Sequence, residues 1–179
     1  MVQNANMNTL RIWGEGIPLP DAFYEEADRR GILIWQEFFM GHGAYPDDEA
    51  YEEKCVEEAE VLIRRLRHHT CLLMWCGGNE TIMGAEYIDE KPYGERIVKE
   101  AFPKLVKRLD PERHYHVNSP YGGAWANDPR EGDTHTYDCV WEYPYQEYPN
   151  FLSENIRTAP PVKHSLKKMI RGELWTADT

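Results

Sequence analysis

Residues 71–80 read CLLMWCGGNE, an apolar run from Cys71 to Trp75 that breaks at Gly77-Gly78 and finishes in Asn79-Glu80. An apolar run of this length, closed by a glycine pair, predicts a short strand, Leu72–Cys76. The pattern recurs at residues 150–154, NFLSE, where Phe151 and Leu152 lead into Ser153-Glu154. A strand that carries a carboxylate to its C-terminal tip, done twice, is how a parallel barrel sets two acids against one bond.

Outward from these runs the chain alternates strands with amphipathic stretches. Met7–Gly14 reads as a strand ending in glycine, and Pro20-Asp21 opens a helix that runs to Arg30 and stops at Gly31. Ile32–Phe39 is the next strand. After the loop MGHGAYPDD a long helix is predicted from Asp48 to His68, with Val56, Ala59, Leu62, Ile63 and Leu66 at helical spacing. Its acids come early and its arginines late, as the helix dipole favours. A third long helix is expected from Gly94 to Leu109, halted by Asp110-Pro111. His114–Asn118, Thr134–Val140 and Phe151–Ser153 are further strands, and Pro161–Ile170 a last helix. Six strands alternating with helices predict a parallel sheet built from right-handed crossovers. The Gly- and Pro-rich segments 121–133 and 142–150 follow strands, where a barrel places its binding loops.

Composition narrows the function. The 179 residues carry a formal charge of −11, which argues against nucleic acid, because phosphate contacts need clustered Lys and Arg. No apolar run is long enough to span a membrane. The opening MVQNANMNTLRIW shows no charged segment followed by an apolar one, so no secretory signal is expected in it. Cys55, Cys71, Cys76 and Cys139 have no CxxC spacing and suit free thiols in a reducing compartment, a weak pointer to the cytoplasm. Six Trp and eleven Tyr would suit stacking on sugar rings, yet aromatic residues also serve cores and interfaces. His68, His69, His114 and His116 are potential metal ligands, but no HExxH or CxxC pattern organises them. No metal or other cofactor is therefore expected.

Several motifs in fixed order go further. NMNTLRIWGEGIPLPDAFYEEADRRGILIWQEF, RRLRHHTCLLMWCGGNE, DPERHYHVNSPYGG and the Ser-Glu of NFLSENIRTAPP together closely resemble the catalytic barrel of glycoside hydrolase family 2. The likeness is greatest to its β-mannosidase and exo-β-glucosaminidase branch. The resemblance implies a (β/α)8 TIM barrel of α/β class, present in part, with the strands here matching the second to seventh of eight. The first and eighth strands and the family's flanking β-sandwich domains have no counterpart. Residues 1–179 are accordingly expected to form a single catalytic-barrel fragment of a larger multidomain glycosidase, with little or no turnover alone.

The family's acid/base is the Glu of its Asn-Glu pair, which matches Glu80, and its nucleophile matches Glu154. The family Arg near the nucleophile matches Arg11, although an Arg inside a strand is equally suited to a structural ion pair. Tyr137 or His135 is expected to donate a hydrogen bond to Glu154, and Asn79 to bind the sugar 2-hydroxyl. Trp13, Trp35 and Trp141 are candidates for shaping the pocket or simply for rim packing. Glu37 is a sugar-hydroxyl ligand or a partner behind one. Many β-mannosidases follow the nucleophile with Phe-Gly, whereas this chain has Asn155-Ile156, and RTAPPVKHSLKKMI looks closer to the glucosaminidase-like members. Glu80 pulls back toward mannosidase, so the sugar is left open.

The implied reaction is retaining hydrolysis of a β-glycoside, in which one carboxyl protonates the leaving group and the other attacks the anomeric carbon. The expected partners are a carbohydrate substrate and the missing barrel strands and sandwich domains. Unpaired edges at Met7–Trp13 and Phe151–Ser153 would also favour self-association. The competing class is a barrel fragment or sugar-binding module without turnover.

Overall fold

The structure, a computed structural model, describes residues 2–46, 48–87, 94–136, 150–155 and 163–170. Four parallel strands form one sheet in chain order: β1 (Thr9–Ile12), β2 (Leu33–Glu37), β3 (Leu72–Cys76) and β4 (His114–His116). A second parallel pair is β5 (Thr134–Thr136) and β6 (Leu152–Asn155). Helices α1 (Asp21–Arg30) and α2 (Glu49–Leu66) cross over between the first three strands. The described residues thus make a partial barrel of six parallel strands without a closed ring. The strand expected at Leu72–Cys76 is found there, with the apolar run intact.

Register divides the strands into two faces. Arg11, Trp35, Met74 and His114 are partners across the four strands, and Glu37, Cys76 and His116 form the next layer up. Cα partners in a parallel ladder point to the same side, so both rows line the barrel interior. An irregularity between Ile34 and Trp35 leaves Leu73 as the extra residue, and its side chain stays exposed.

The opposite face carries the core. Ile34, Phe38 and Trp75 pack under Leu62, Ile63 and Leu66 of α2 and under Val98, Phe102, Leu105 and Val106. Phe38 stacks on Trp75 with ring centroids 5.3 Å apart and meets Phe102 at 4.7 Å. Trp75 also donates from Nε1 to Asp110 (2.8 Å), so the residue that stops the helix before β4 anchors the central strand. Replacing Trp75 with Ala removes a fully buried indole and one of the donors to Asp110, which keeps its pair with Arg113 (2.6 Å). The expected cost is about 3–5 kcal/mol of stability, read as a lower midpoint in urea unfolding at unchanged slope. A loss below roughly 1 kcal/mol would show that the site collapses around the gap.

Two helical details differ from the sequence expectation. The helix expected from Gly94 to Leu109 begins as a π turn, Ile97–Ala101, and becomes α4 at Phe102–Leu109. Pro103 explains it. A proline has no N–H to give, and its ring crowds the carbonyl four residues back, so the chain widens to a bond from the Phe102 N–H to Ile97. A short helix not expected from sequence, α3 (Thr81–Tyr87), starts directly after Glu80. The last helix, α5, spans Lys163–Met169. Among the described residues no helix is long and apolar enough to cross a membrane.

At the other end of the sheet, Asp28 of α1 accepts from the Cys71 amide (2.6 Å) and Thr70 Oγ1 (3.0 Å) and pairs with His69 (2.6 Å). These bonds clamp α1 to the entry of β3. They hold the Asp28 carboxyl well below the ordinary range despite the opposing effect of burial.

Candidate active site

The stretch after β3 is forced into an unusual path by close packing. A side chain at Gly77 would collide with the Val117 carbonyl, and one at Gly78 with the Met40 carbonyl. Only glycine lets the backbones approach this closely. Asn79 then donates its amide to Met40 O, and Glu80 donates its own to Ser119 O, both at 2.7 Å. Glu80 adopts φ +53°, left-handed for a residue with a Cβ, and its carbonyl accepts the Gly84 amide at the start of α3. Such strain, on the order of 1–3 kcal/mol, persists where surrounding contacts over-determine the backbone. Here it turns the Glu80 side chain over the barrel mouth.

β6 delivers the second acid. Oxygens of Glu80 and Glu154 and a ring nitrogen of His135 all lie within 4.8 Å of one another. Two carboxylates from strand ends 74 positions apart in sequence therefore share one small space. The Glu154 side chain is 29 % exposed and that of Glu80 11 %. Glu154 thus forms the more open wall of the site.

Arg11 ties the pair to the barrel interior. Nη1 donates to Glu154 Oε2 (2.8 Å), Nε to Glu37 Oε1 (2.5 Å) and Nη2 to Asn79 Oδ1 (2.6 Å). Burial works against its charge, but Glu37 and Glu154 more than offset that and raise the guanidinium above its ordinary value. The fork geometry of Arg, with several fixed donors, is what lets one side chain hold three acceptors. The sequence expectation of Arg11 beside the nucleophile position agrees with this contact. The structural ion pair weighed against it is present too, through Glu37.

Other expected site residues fall differently. Glu37, expected as a sugar-hydroxyl ligand or a partner behind one, has a side chain with no exposed surface. Its oxygens take Arg11 Nε and the Gly14 amide (2.7 Å). It is a buried counter-ion under Arg11, and burial pushes its carboxyl above the ordinary value against the pull of Arg11. His135, expected to serve Glu154, instead places Nδ1 2.8 Å from Glu80 Oε1 and 3.8 Å from Glu154. His135 and Glu154 are partners in the ladder and share its inner face, and the ring bridges from Glu154 to Glu80.

Trp35 is buried, with the Arg11 guanidinium 5.6 Å over its ring and Phe151 stacked at 6.0 Å. It supports Arg11 from below and offers no open face. Trp13 lies beyond β1 and is 46 % exposed. Asn79 is buried with its amide oxygen on Arg11. Tyr137 and Trp141 lie outside the described residues.

Sequence reasoning missed three contributors. His42, in the loop after β2, puts Nδ1 3.3 Å from Glu80 Oε2. Ser119 and Asp133 stand behind His135. None sits in a spacing that announces a role; the one signal is place, His42 and Ser119 lying on the loops after β2 and β4 and Asp133 directly before β5.

The geometry can be set beside known proteins. The sequence profile described as "Glycosyl hydrolases family 2, TIM barrel domain" matches residues 4–170. The chain belongs to glycoside hydrolase family 2. It is 34 % identical over 158 residues to a β-mannosidase B of Emericella nidulans, covering 79 % of this chain and 19 % of that protein. It is 33 % identical to the β-mannosidase of Capra hircus, covering 99 % of this chain and 23 % of the relative. The crystal structure of a β-D-mannosidase from Dictyoglomus thermophilum superposes with a TM-score of 0.86 at 37 % identity, over 96 % of this chain and 22 % of that one. This family 2 chain spans about a fifth of the length of the curated relatives it matches.

Proposed function

We propose that this family 2 chain is the catalytic-barrel part of a larger retaining exo-β-glycosidase acting on β-mannosides or related β-glycosides. In this reading Glu154 attacks the anomeric carbon while Glu80 protonates the departing oxygen. Glu80 then takes a proton from the water that releases the covalent glycosyl-enzyme. The observation that carries the reading is the approach of the two carboxyls, with oxygens inside 4.8 Å. Retaining enzymes place the pair about 5–5.5 Å apart, whereas inverting enzymes leave roughly 6.5–9.5 Å for a water.

The electrostatics support separate roles. Arg11 sets a cation against Glu154, as suits an anionic nucleophile, while Glu80 is withdrawn from solvent beside imidazoles, as suits a proton donor. Likeness to β-mannosidases from a fungus, a goat and a bacterium supports mannoside as the sugar. An apolar groove of about 430 Å³ on the outer side of β1 and α1, lined by Val2, Leu10, Phe23, Ala27 and Ile32, supports cover from another part of the same polypeptide.

The test is turnover of a panel of aryl β-glycosides by the full-length protein. The expected outcome is a kcat/KM on the β-mannoside at least about tenfold above the glucoside, galactoside and glucosaminide. Proton NMR in the first minutes should show the β anomer of the released sugar. Initial appearance of the α anomer would overturn the retaining mechanism, and preference for the glucosaminide would overturn the choice of sugar.

A further inference from the structure

Behind Glu80 runs a line of buried polar side chains drawn from β5, the residue before it and the segment after β4. His135 Nδ1 meets Glu80 Oε1 at 2.8 Å, and on the far side of the ring Nε2 meets Ser119 Oγ at 3.0 Å. Ser119 Oγ in turn lies 2.7 Å from Asp133 Oδ2. The His135 ring has no exposed surface, and Asn127 fixes its backbone from both sides, accepting from its N–H and donating to its carbonyl, each at 2.8 Å.

Proton positions along this line follow from Asp133. Its Oδ1 receives the Tyr121 amide (2.8 Å) and pairs with His116 Nε2 (2.6 Å), while Oδ2 also receives Ser153 Oγ (2.5 Å). Burial opposes a charge on Asp133, but His116 and the Ser153 and Ser119 hydroxyls outweigh it and hold the carboxyl down at about 2. An ionised carboxylate only accepts hydrogen bonds. At 2.7 Å the Ser119 hydroxyl must therefore give its single proton to Asp133, since two lone pairs that close would repel. Its oxygen is left to accept from His135, which places a proton on Nε2. A neutral imidazole with its proton on Nε2 presents a lone pair at Nδ1.

We propose that Asp133, acting through Ser119, keeps a proton on His135 Nε2, so that Nδ1 faces Glu80 without a proton of its own and one proton is retained between Glu80 and His135 to start the reaction. Asp133 and Ser119 are positioning residues: neither touches the reacting atoms, and both act through the ring. The proposal rests on Glu80 being the acid/base. Among the described residues, the other titratable or charged groups facing this line include His42 on the loop after β2, 3.3 Å from Glu80 Oε2, Glu154 on β6, 3.8 Å from His135 Nδ1 and held by Arg11, Glu37 on β2, buried under Arg11 and electrostatically coupled to His135, and His116 on β4 beside Asp133.

Ser119→Ala in the full-length enzyme tests it. The Ser119 backbone, which accepts from Glu80 and donates to Gly78, keeps those bonds. Without the hydroxyl the ring is free to carry its proton on Nδ1 and donate to an ionised Glu80. The basic limb of the kcat/KM profile on a substrate with a poor leaving group should then move acidward by about one pH unit. Ser119→Thr, which keeps the hydroxyl, should bring the limb back to within about 0.3 unit of wild type. Ser119→Cys, close in size with a weaker hydrogen-bonding group, should shift it in the same direction and serves if the alanine variant does not fold.

The acidward shift should persist in a His42→Asn background, and its disappearance there would assign the effect to His42 instead. A limb that stays put, or moves to higher pH as an imidazolium deprived of its acceptor would cause, overturns the relay. If Glu80→Ala shows no dependence on leaving group, the Glu80 assignment fails and the relay with it. A normal Glu80→Ala response beside an unmoved limb sinks the relay alone.

Discussion

Glu154→Gln in the full-length protein is expected to lower kcat/KM on an aryl β-mannoside by roughly 10⁴- to 10⁶-fold, the scale seen when a covalent nucleophile is removed. The amide matches the carboxylate in size, and its oxygen can still accept from Arg11 Nη1, now 2.8 Å from Glu154 Oε2. Folding is thus expected to survive, and an unchanged melting temperature would separate lost chemistry from lost structure. What disappears is the anion: an amide oxygen is too poor a nucleophile to form the glycosyl-enzyme. The ion pair with Arg11 becomes an ordinary hydrogen bond at the same time, which also weakens the guanidinium's grip on the site. Retention of more than about a hundredth of wild-type kcat/KM by a folded variant would place the nucleophile elsewhere.

Glu80→Ala should behave differently, and the difference is the informative part. General acid catalysis contributes about 10²- to 10⁴-fold, and its share grows as the leaving group becomes more basic. An alkyl or disaccharide substrate needs the proton and should lose most. A dinitrophenyl glycoside departs without help, so its first step should be nearly spared and the glycosyl-enzyme should accumulate. Azide, which needs no general base, should then restore turnover and yield a β-glycosyl azide. Alanine at φ +53° remains strained, as glutamate is now, and Glu80→Gln keeps the side chain for comparison. Equal losses on both substrate classes, without azide rescue, would remove Glu80 from the acid/base role.

The layout of strands and helices was readable in advance because its causes are local. Leu72–Cys76 matches the expected strand residue for residue, since five apolar residues between a turn and a glycine pair have few alternatives. The α2 helix was equally plain from its apolar spacing and from Asp48, whose side chain accepts the Tyr51 amide at the N-terminus. Pro103 offered a legible warning of the π turn, whereas α3 was too short for periodicity to register. The two acids were likewise visible, each at the end of a strand-like run. Their partners were not. Glu37 looked like a ligand because a carboxylate at a strand end resembles its neighbours in sequence, and only packing beneath Arg11 gives it no exposed surface.

Side-chain partnership in this site spans 26 residues for Arg11 with Glu37, 55 for His135 with Glu80 and 143 for Arg11 with Glu154. Propensity and periodicity act over a few residues, so they place the glutamates at strand tips and say which class of fold can use them. Which oxygen faces which nitrogen depends on register and on how far the sheet curls, and a one-residue slip would turn every inward side chain outward. For this chain the amino-acid order was enough to single out two carboxylates that the fold brings within 4.8 Å of each other. The line from Asp133 through Ser119 and His135 to Glu80 exists only where β5 meets the segments that follow β3 and β4.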